Sequence, residues 1–243
     1  RLPERLGAAG ARRLHRRADG SSEVWRLDLP ASSASADGSV HAPTVVAIKW
    51  FDDRGAWRRT LRGSRARRAW RDAFRLRMAE VATPAALLFA EGGARRRPCS
   101  VLVSTFVEPA LALDAAVAAH GPEAARPVLR AAAALIARLH DEGLSHRDLK
   151  APNLLVSPDG TVVLADSDGL RRRALPLDRV ARDLMRLNAS FRDGGAAMMR
   201  ARLAFLADYR AARRRERPPR EALLRRIALL TGLKWQLAPI ARR

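Results

Sequence analysis

Eight consecutive residues, His146-Arg147-Asp148-Leu149-Lys150-Ala151-Pro152-Asn153, constrain this chain more than any other stretch. They set a carboxylate, an ammonium and a carboxamide in one short loop. A second acid, Asp166, follows Asp148 at a separation of 166 − 148 = 18 residues. Between Asn153 and Asp166 lie two short apolar runs, Leu154-Leu155-Val156 and Thr161-Val162-Val163-Leu164, around Ser157-Pro158-Asp159-Gly160. Pro and Asp ahead of Gly supply the backbone angles of a tight turn. A hairpin there returns Asp166 to the neighbourhood of Asn153. One neutral and one anionic oxygen donor, brought to the same end, suit a hard cation. Asp148 stands beside them as a base.

The same residues fill the H-R-D-L-x-x-x-N template of a kinase catalytic loop at each fixed position. Val46-Ala47-Ile48-Lys49, in the β-branched and aromatic run Thr44–Phe51, matches the V-A-I-K of the kinase third strand. Two strand patterns precede it, near Leu14-His15 and over Val24–Leu29. Phosphoryl transfer needs positioning, charge neutralisation and a place for the nucleophile's proton. Asp148 is expected to orient the acceptor hydroxyl and take its proton. Lys150 can reach the γ-phosphate, and Lys49 can neutralise the α/β-phosphates. Asn153 and Asp166 are expected to hold Mg²⁺. Asp168 is either a second metal ligand or a turn residue ahead of Gly169. His146 reads as a packing and hydrogen-bonding residue. Asp183 reads either as a carboxylate holding the loop's backbone N–H groups or as an ordinary solvated acid.

Other parts of the template are thinner. Ala18-Asp19-Gly20-Ser21-Ser22-Glu23 sits where a phosphate-cradling loop belongs, with one glycine where G-x-G-x-x-G has three. Gly20 and Ser21 are the candidate cradle; otherwise the segment is a hairpin turn with Asp-Gly at its tip. Ser100–Val107 reads as a strand; Thr105 to Val107 stand where two lobes would join and backbone, at Thr105 and Val107, would meet the adenine edge, and otherwise the run is any buried strand. Residues 64–79 read as a basic helix capped by Ser64, with Trp70, Phe74 and Met78 at four-residue spacing. A carboxylate is needed on it to hold the strand lysine. Arg68 and Ala69 occupy the expected place, and Asp72 and Glu80 are the nearest acids. Pro30 to Pro43 reads as a flexible loop, and Arg95-Arg96-Arg97-Pro98 as a turn. One long helix is expected from Pro122 to Glu142, and others over 178–191, 195–214 and 220–230. The order predicts an α+β, bilobal, protein-kinase-like fold: a small β-rich N-lobe over about 1–106 and a mainly helical C-lobe over about 107–243.

Bulk properties narrow the alternatives. A chain of 243 residues is ample for a buried core, and no apolar run approaches a membrane span. The single cysteine, Cys99, excludes an internal disulfide framework and fits a reducing cytosol. The sequence opens on Arg1 rather than Met, so an upstream start, signal or further domain stays open. The net charge of +21 reads either as attraction to an anionic partner or as the arginine-rich usage of a GC-rich genome. Barely a dozen residues separate Asp166 from the next expected helix, and no A-P-E follows, so the peptide-docking platform of a protein kinase is missing. Aminoglycoside-type phosphotransferases fit less well, since their loop has Gly after the His and a His at the place of Lys150.

Taken together, the chain resembles the lipopolysaccharide kinase family. The likeness rests on the catalytic loop and on Ile48-Lys49-Trp50-Phe51, Trp70-Arg71-Asp72-Ala73-Phe74 and Val81-Ala82-Thr83-Pro84. It also rests on Asp166-Ser167-Asp168 and Ala181-Arg182-Asp183-Leu184, and it covers most of residues 44–210. The resemblance implies ATP and Mg²⁺ as cofactors and a sugar hydroxyl of Kdo or heptose as acceptor. It implies work in the cytoplasm, in peripheral contact with the cytoplasmic face of the inner membrane. An anionic glycolipid substrate would give the arginines a purpose, and nucleic acid becomes an unlikely partner. The alternatives are an atypical protein serine/threonine kinase, a catalytically weak pseudokinase, and a non-catalytic nucleotide- or nucleic-acid-binding module.

Overall fold

A computed structural model describes residues 2–29, 45–53, 63–94, 97–172, 174–191, 195–215 and 217–237. The loop expected over 30–43 lies outside the described residues, as do Arg95 and Arg96 of the expected turn. The chain divides into two compact units, Arg1–Arg75 with Pro84–Val107, and Leu76–Thr83 with Glu108–Arg243.

The first unit opens with a short helix, α1 (Leu2–Ala8), and is built on a five-stranded antiparallel sheet in the order β1-β2-β3-β5-β4. Its strands are β1 (Arg12–Arg16), β2 (Ser22–Asp28), β3 (Val45–Asp52), β4 (Ala86–Ala94) and β5 (Arg97–Thr105). Successive side chains of a strand face opposite sides, and β3 divides accordingly. Val46 and Ile48 pack with Leu6, Ala11 and Trp25. Phe51 packs beneath a helix, α2 (Arg65–Met78), with Ala66, Ala69, Ala73, Ala86 and Leu102. Period two places Lys49 on the Phe51 side, and its Nζ lies 5.3 Å from the Phe51 ring centre. In register, Lys49 stands between Val24 of β2 and Leu102 of β5.

Ser64 caps α2, its Oγ accepting the N–H of Arg67 at 3.1 Å. The aromatic spacing marked the helix correctly but not its buried face. Met78 is 86% exposed and Phe74 39%, whereas Ala66, Ala69, Ala73 and Leu76 are buried. Small side chains let the helix lie close on the sheet. Trp70 covers the margin, 5.4 Å from the Phe89 ring. The fifth strand ends at Thr105, short of the Val107 expected from its apolar run.

The second unit is mostly helical. The helix expected over 122–142 is α4 (Arg126–Asp141), which starts four residues later than expected, and a further helix, α3 (Leu113–Ala124), precedes it. Gly121, at φ 78° and ψ 159°, breaks α3 just ahead of Pro122. The remaining helices are α5 (Leu177–Asn188), α6 (Gly195–Ala212) and α7 (Arg220–Leu237). The last of these runs seven residues beyond its expected end at 230. Ala132, Ile136 and Leu139 of α4 are fully buried, against Leu184 and Leu187 of α5 and Leu206 and Tyr209 of α6. Leu76, Ala79 and Val81 belong to this core as well. Five short strands complete the unit: β6 (Leu111–Ala112), β7 (Leu144–His146), β8 (Leu154–Val156), β9 (Val162–Leu164) and β10 (Leu170–Arg172) form two small sheets, β6-β8-β9 and β10-β7, with a 3₁₀ turn over Ala151–Asn153.

Candidate active site

The loop between β7 and β8 is held from several sides. β7 is buried throughout and pairs with β10, with His146 opposite Leu170. One residue on, the Arg147 N–H donates to the Gly169 carbonyl at 3.1 Å. From α5, Asp183 Oδ2 accepts the His146 N–H at 3.1 Å. Just past α5, Ser190 Oγ accepts the Ala151 N–H at 3.0 Å. Leu149 anchors the middle of the loop at 0% exposure. Of the two readings of Asp183, the geometry selects the one in which its carboxylate, 1% exposed, holds the loop backbone.

The β8–β9 hairpin forms as expected, with Leu154 opposite Leu164 and Gly160 at φ 83° in its turn. Its two ends meet where the Ala165 N–H donates to the Asn153 carbonyl at 2.9 Å. Asn153 and Asp166 are thereby brought together. The Val81–Thr83 run lies along the same hairpin. Ala82 O accepts the Leu164 N–H, and Thr83 Oγ1 donates to the Leu164 carbonyl, both at 2.9 Å.

Asp148 is half-buried and organised by its neighbours. Lys150 Nζ lies 3.0 Å from its Oδ2. Asn153 Nδ2 donates to the Asp148 carbonyl at 2.8 Å and approaches Oδ2 at 3.5 Å. Burial alone would raise the Asp148 pKa, but Lys150, then Asn153, outweigh it and hold the carboxyl below the ordinary aspartate value. At neutral pH it is a carboxylate, as a base must be. Burial pushes the His146 pKa down, against the pull of Asp166, Asp148, Asp183 and Asp168. Four carboxylates therefore bear on one buried imidazole, whose ring nitrogens have no hydrogen-bond partner among the described residues.

That donor set fits Mg²⁺. Asn153 spends its Nδ2 on Asp148, which leaves the amide oxygen as the end that could meet a cation. Asp166 accepts the Asp168 N–H on Oδ1 at 2.9 Å. Among the described residues no group of three or more His, Cys, Asp or Glu side chains forms a metal site by itself. An ion held here would draw on the amide, on carboxylate oxygens and on phosphate, as Mg²⁺ does. Asp168 Oδ1 lies 3.8 Å from Arg147 Nη2. Gly169 follows at φ 125°, and a Cβ there would meet Arg147 Cγ at 2.9 Å. Glycine is required both by the backbone and by the arginine stem above it.

The candidate nucleotide residues Gly20, Ser21, Lys49, Thr105 and Val107 all belong to the first unit. Gly20 N–H donates to Arg17 O at 2.8 Å and Ser21 N–H to Asp19 Oδ1 at 2.9 Å, so this turn is bonded to itself. Thr105 is likewise engaged, its N–H and Oγ1 pairing with the Ala85 backbone at 2.9 Å. Val107 lies in the connection after β5, half-buried. Of the two acids near Lys49 in sequence, Glu80 belongs to the second unit and pairs with Arg138. Asp72 lies on the buried face of α2, 7% exposed, and pairs with Arg75 at 2.6 Å.

Ser190 and a buried group around Tyr209 were not visible in the sequence. Their partners lie 39 and 69 residues away, beyond any local spacing rule.

An antiparallel sheet carrying Lys49, followed by a helical unit whose His-Arg-Asp loop is pinned by a buried aspartate, defines a kinase-like α+β phosphotransferase. Within that class, the chain belongs to the lipopolysaccharide kinase (Kdo/WaaP) family, whose model matches residues 53–209. The match takes in the catalytic loop, Asp166 and Asp183, and begins one residue after the end of β3. Kinase membership implies ATP as phosphoryl donor. No curated protein matches the sequence. Among the described residues, no helix is long and apolar enough to cross a membrane.

Proposed function

We propose that this enzyme transfers the γ-phosphoryl group of ATP to a hydroxyl of Kdo or heptose in the lipopolysaccharide inner core. Asp148 orients the acceptor hydroxyl and takes its proton, while Lys150, 3.0 Å away, is placed to meet the transferring phosphoryl oxygens. Asn153 and Asp166 would hold Mg²⁺, which supplies charge neutralisation to the phosphates. Lys49 would pair with the α/β-phosphates, with Asp72 as the acid nearest to that task. Thr105 and Val107 would border the adenine, and Gly20 and Ser21 the phosphates. The acceptor is an anionic glycolipid, met by peripheral contact at the cytoplasmic face of the inner membrane, where arginine suits phosphate and carboxylate groups.

The observation that carries the reading is the Asp148 carboxylate, ionised and oriented by Lys150 and Asn153 in a loop pinned by Asp183. The acceptor class rests on the family and on the short segment after Asp166. Only residues 167–176 separate it from α5, and three of them are spent on β10, leaving no platform for a peptide. The test is transfer of label from γ-labelled ATP to Kdo-lipid A, heptosylated core, a basic protein and water. Label is expected on a core sugar, with Asp148→Ala reducing transfer at least about 100-fold. Label on the protein alone would establish a protein kinase instead. Equal turnover in wild type and Asp148→Ala would overturn the assignment of the base.

A further inference from the structure

A chain of buried polar groups runs behind the catalytic loop, and the proposed reaction makes no direct use of it. It begins at Asp141, the last residue of α4. Asp141 Oδ1 accepts from Arg213 Nε at 2.7 Å, and its two oxygens also accept the backbone N–H groups of Arg214 and Arg215. Arg213 Nη1 donates to the Tyr209 hydroxyl oxygen at 2.8 Å. That hydroxyl lies 2.7 Å from His140 Nδ1. The other ring nitrogen, His140 Nε2, lies 3.5 Å from Asp183 Oδ2, a close electrostatic contact rather than a hydrogen bond. Oδ2 is the same oxygen that accepts the His146 N–H, while Oδ1 is taken by Arg186 at 2.8 Å. Tyr209 is 0% exposed, His140 2%, Asp183 1%, and Arg213 and Asp141 6% each.

Donor accounting fixes the direction of this chain. A guanidinium only donates, so the tyrosine oxygen accepts from Arg213. The arrangement that also uses the hydroxyl proton sends it to His140 Nδ1. An Nδ1 that accepts leaves the ring proton on Nε2, the side of the ring that lies near the Asp183 carboxylate. The polarity therefore runs one way, from Arg213 through Tyr209 and His140 to Asp183. Burial raises the Tyr209 pKa to about 12, so the hydroxyl keeps its proton throughout the physiological range. The chain ends on a backbone N–H two residues ahead of Asp148.

We infer that Tyr209 is a positioning residue for phosphoryl transfer: through His140 it orients the Asp183 carboxylate, which in turn sets the backbone from which Asp148 projects. This rests on the reading of residues 146–153 as the transfer loop. An alternative role for Tyr209 is packing alone, since its ring meets His140 edge-on at 5.6 Å. Tyr209→Phe separates the two, because it keeps the ring and removes only the hydroxyl.

The first measurement is amide hydrogen exchange, which needs no substrate. In Tyr209→Phe the peptide spanning residues 144–149 is expected to exchange about tenfold faster, with the interior of α4 unchanged. Unchanged protection at 144–149 would overturn the inference. So would equal loss of protection across the whole unit, which marks a packing defect. The second measurement is label transfer. Tyr209→Phe is expected to lower kcat about tenfold with KM for ATP unchanged. His140→Gln, whose amide can still donate toward Asp183, is expected to retain more activity than His140→Ala. Adding Tyr209→Phe to His140→Ala should then cost nothing further, because the chain is already cut. Additive losses would overturn the relay. A wild type that labels no acceptor would sink the proposed reaction and still leave the exchange result to decide whether Tyr209 sets the loop.

Discussion

Two turns of this molecule face similar demands and meet them differently. The loop 146–153 takes its bonds from distant chain: Gly169, Asp183 and Ser190 each hold one of its backbone N–H groups. The turn 17–22 is closed locally, by Gly20 N–H to Arg17 O, Ser21 N–H to Asp19 and Arg17 N–H to Ser22 O. Its outside ties run from the Ser21 carbonyl, which accepts from Asp52 N–H and Arg65 Nη1, each at 3.0 Å. A loop fixed by remote elements keeps its shape only when the unit is folded, and it can present side chains at set angles. A self-bonded turn forms readily but has committed its N–H groups. Under the proposed function, nucleotide positioning in the first unit would fall more on side chains such as Lys49 than on a glycine-rich cradle.

Three changes test that contrast. The largest effect is expected at Asp141, where the remote network is tied down. Asp141→Ala leaves Arg213 buried without its carboxylate and should cost about 3–5 kcal/mol, measured by denaturant unfolding. The same residue carries a pH signature. Burial would raise its pKa, but the N–H groups of Arg214 and Arg215 and the Arg213 guanidinium outweigh it and hold it below 3.8. A depressed carboxyl contributes stability that is complete above its unfolded pKa and is lost as pH falls through the folded one. Acid unfolding of the wild type should thus steepen below pH 3.8, and Asp141→Asn should remove that component.

A middle effect is expected at Gly169. With φ at 125° and Arg147 Cγ 2.9 Å from the missing Cβ, Gly169→Ala should cost about 1–3 kcal/mol and lower turnover through displacement of Arg147. Unchanged melting and turnover would show that the β7–β10 side of the loop is slack. The smallest effect is expected at Asp19. Removing its exposed bond to Ser21 in Asp19→Ala should change KM for ATP by less than about twofold. A rise of about tenfold would show that the hairpin shapes the nucleotide site after all, and would erase the contrast.

What the sequence disclosed follows the range of the forces involved. The β8–β9 hairpin, the Ser64 cap and the alternation of β3 are local, and each was legible from a few neighbouring residues. The meeting of Asp148, Lys150 and Asn153 in one loop was legible because all three lie within six residues. The buried face of α2 is set by the alanines that pack against Phe51, which the aromatic spacing does not mark. Helix α3 went unread because Gly121-Pro122 carries the marks of a helix start and drew the boundary there, and β7 and β10 are each three residues long, too short to show a period. Ser190 and Tyr209 matter through partners that only the folded chain brings near.

The path of the chain between the two units bears on how this protein can be made or cut. Leu76, Ala79 and Val81 enter the core of the helical unit before the chain returns to lay down β4 and β5. A fragment starting at Glu108 would carry the whole catalytic loop and still lack three of its core side chains, along with Ala82 and Thr83 from the flank of β9. Expressed alone, it should emerge insoluble. Co-expression with a peptide covering residues 63–85 should restore it, as a missing piece returned in trans.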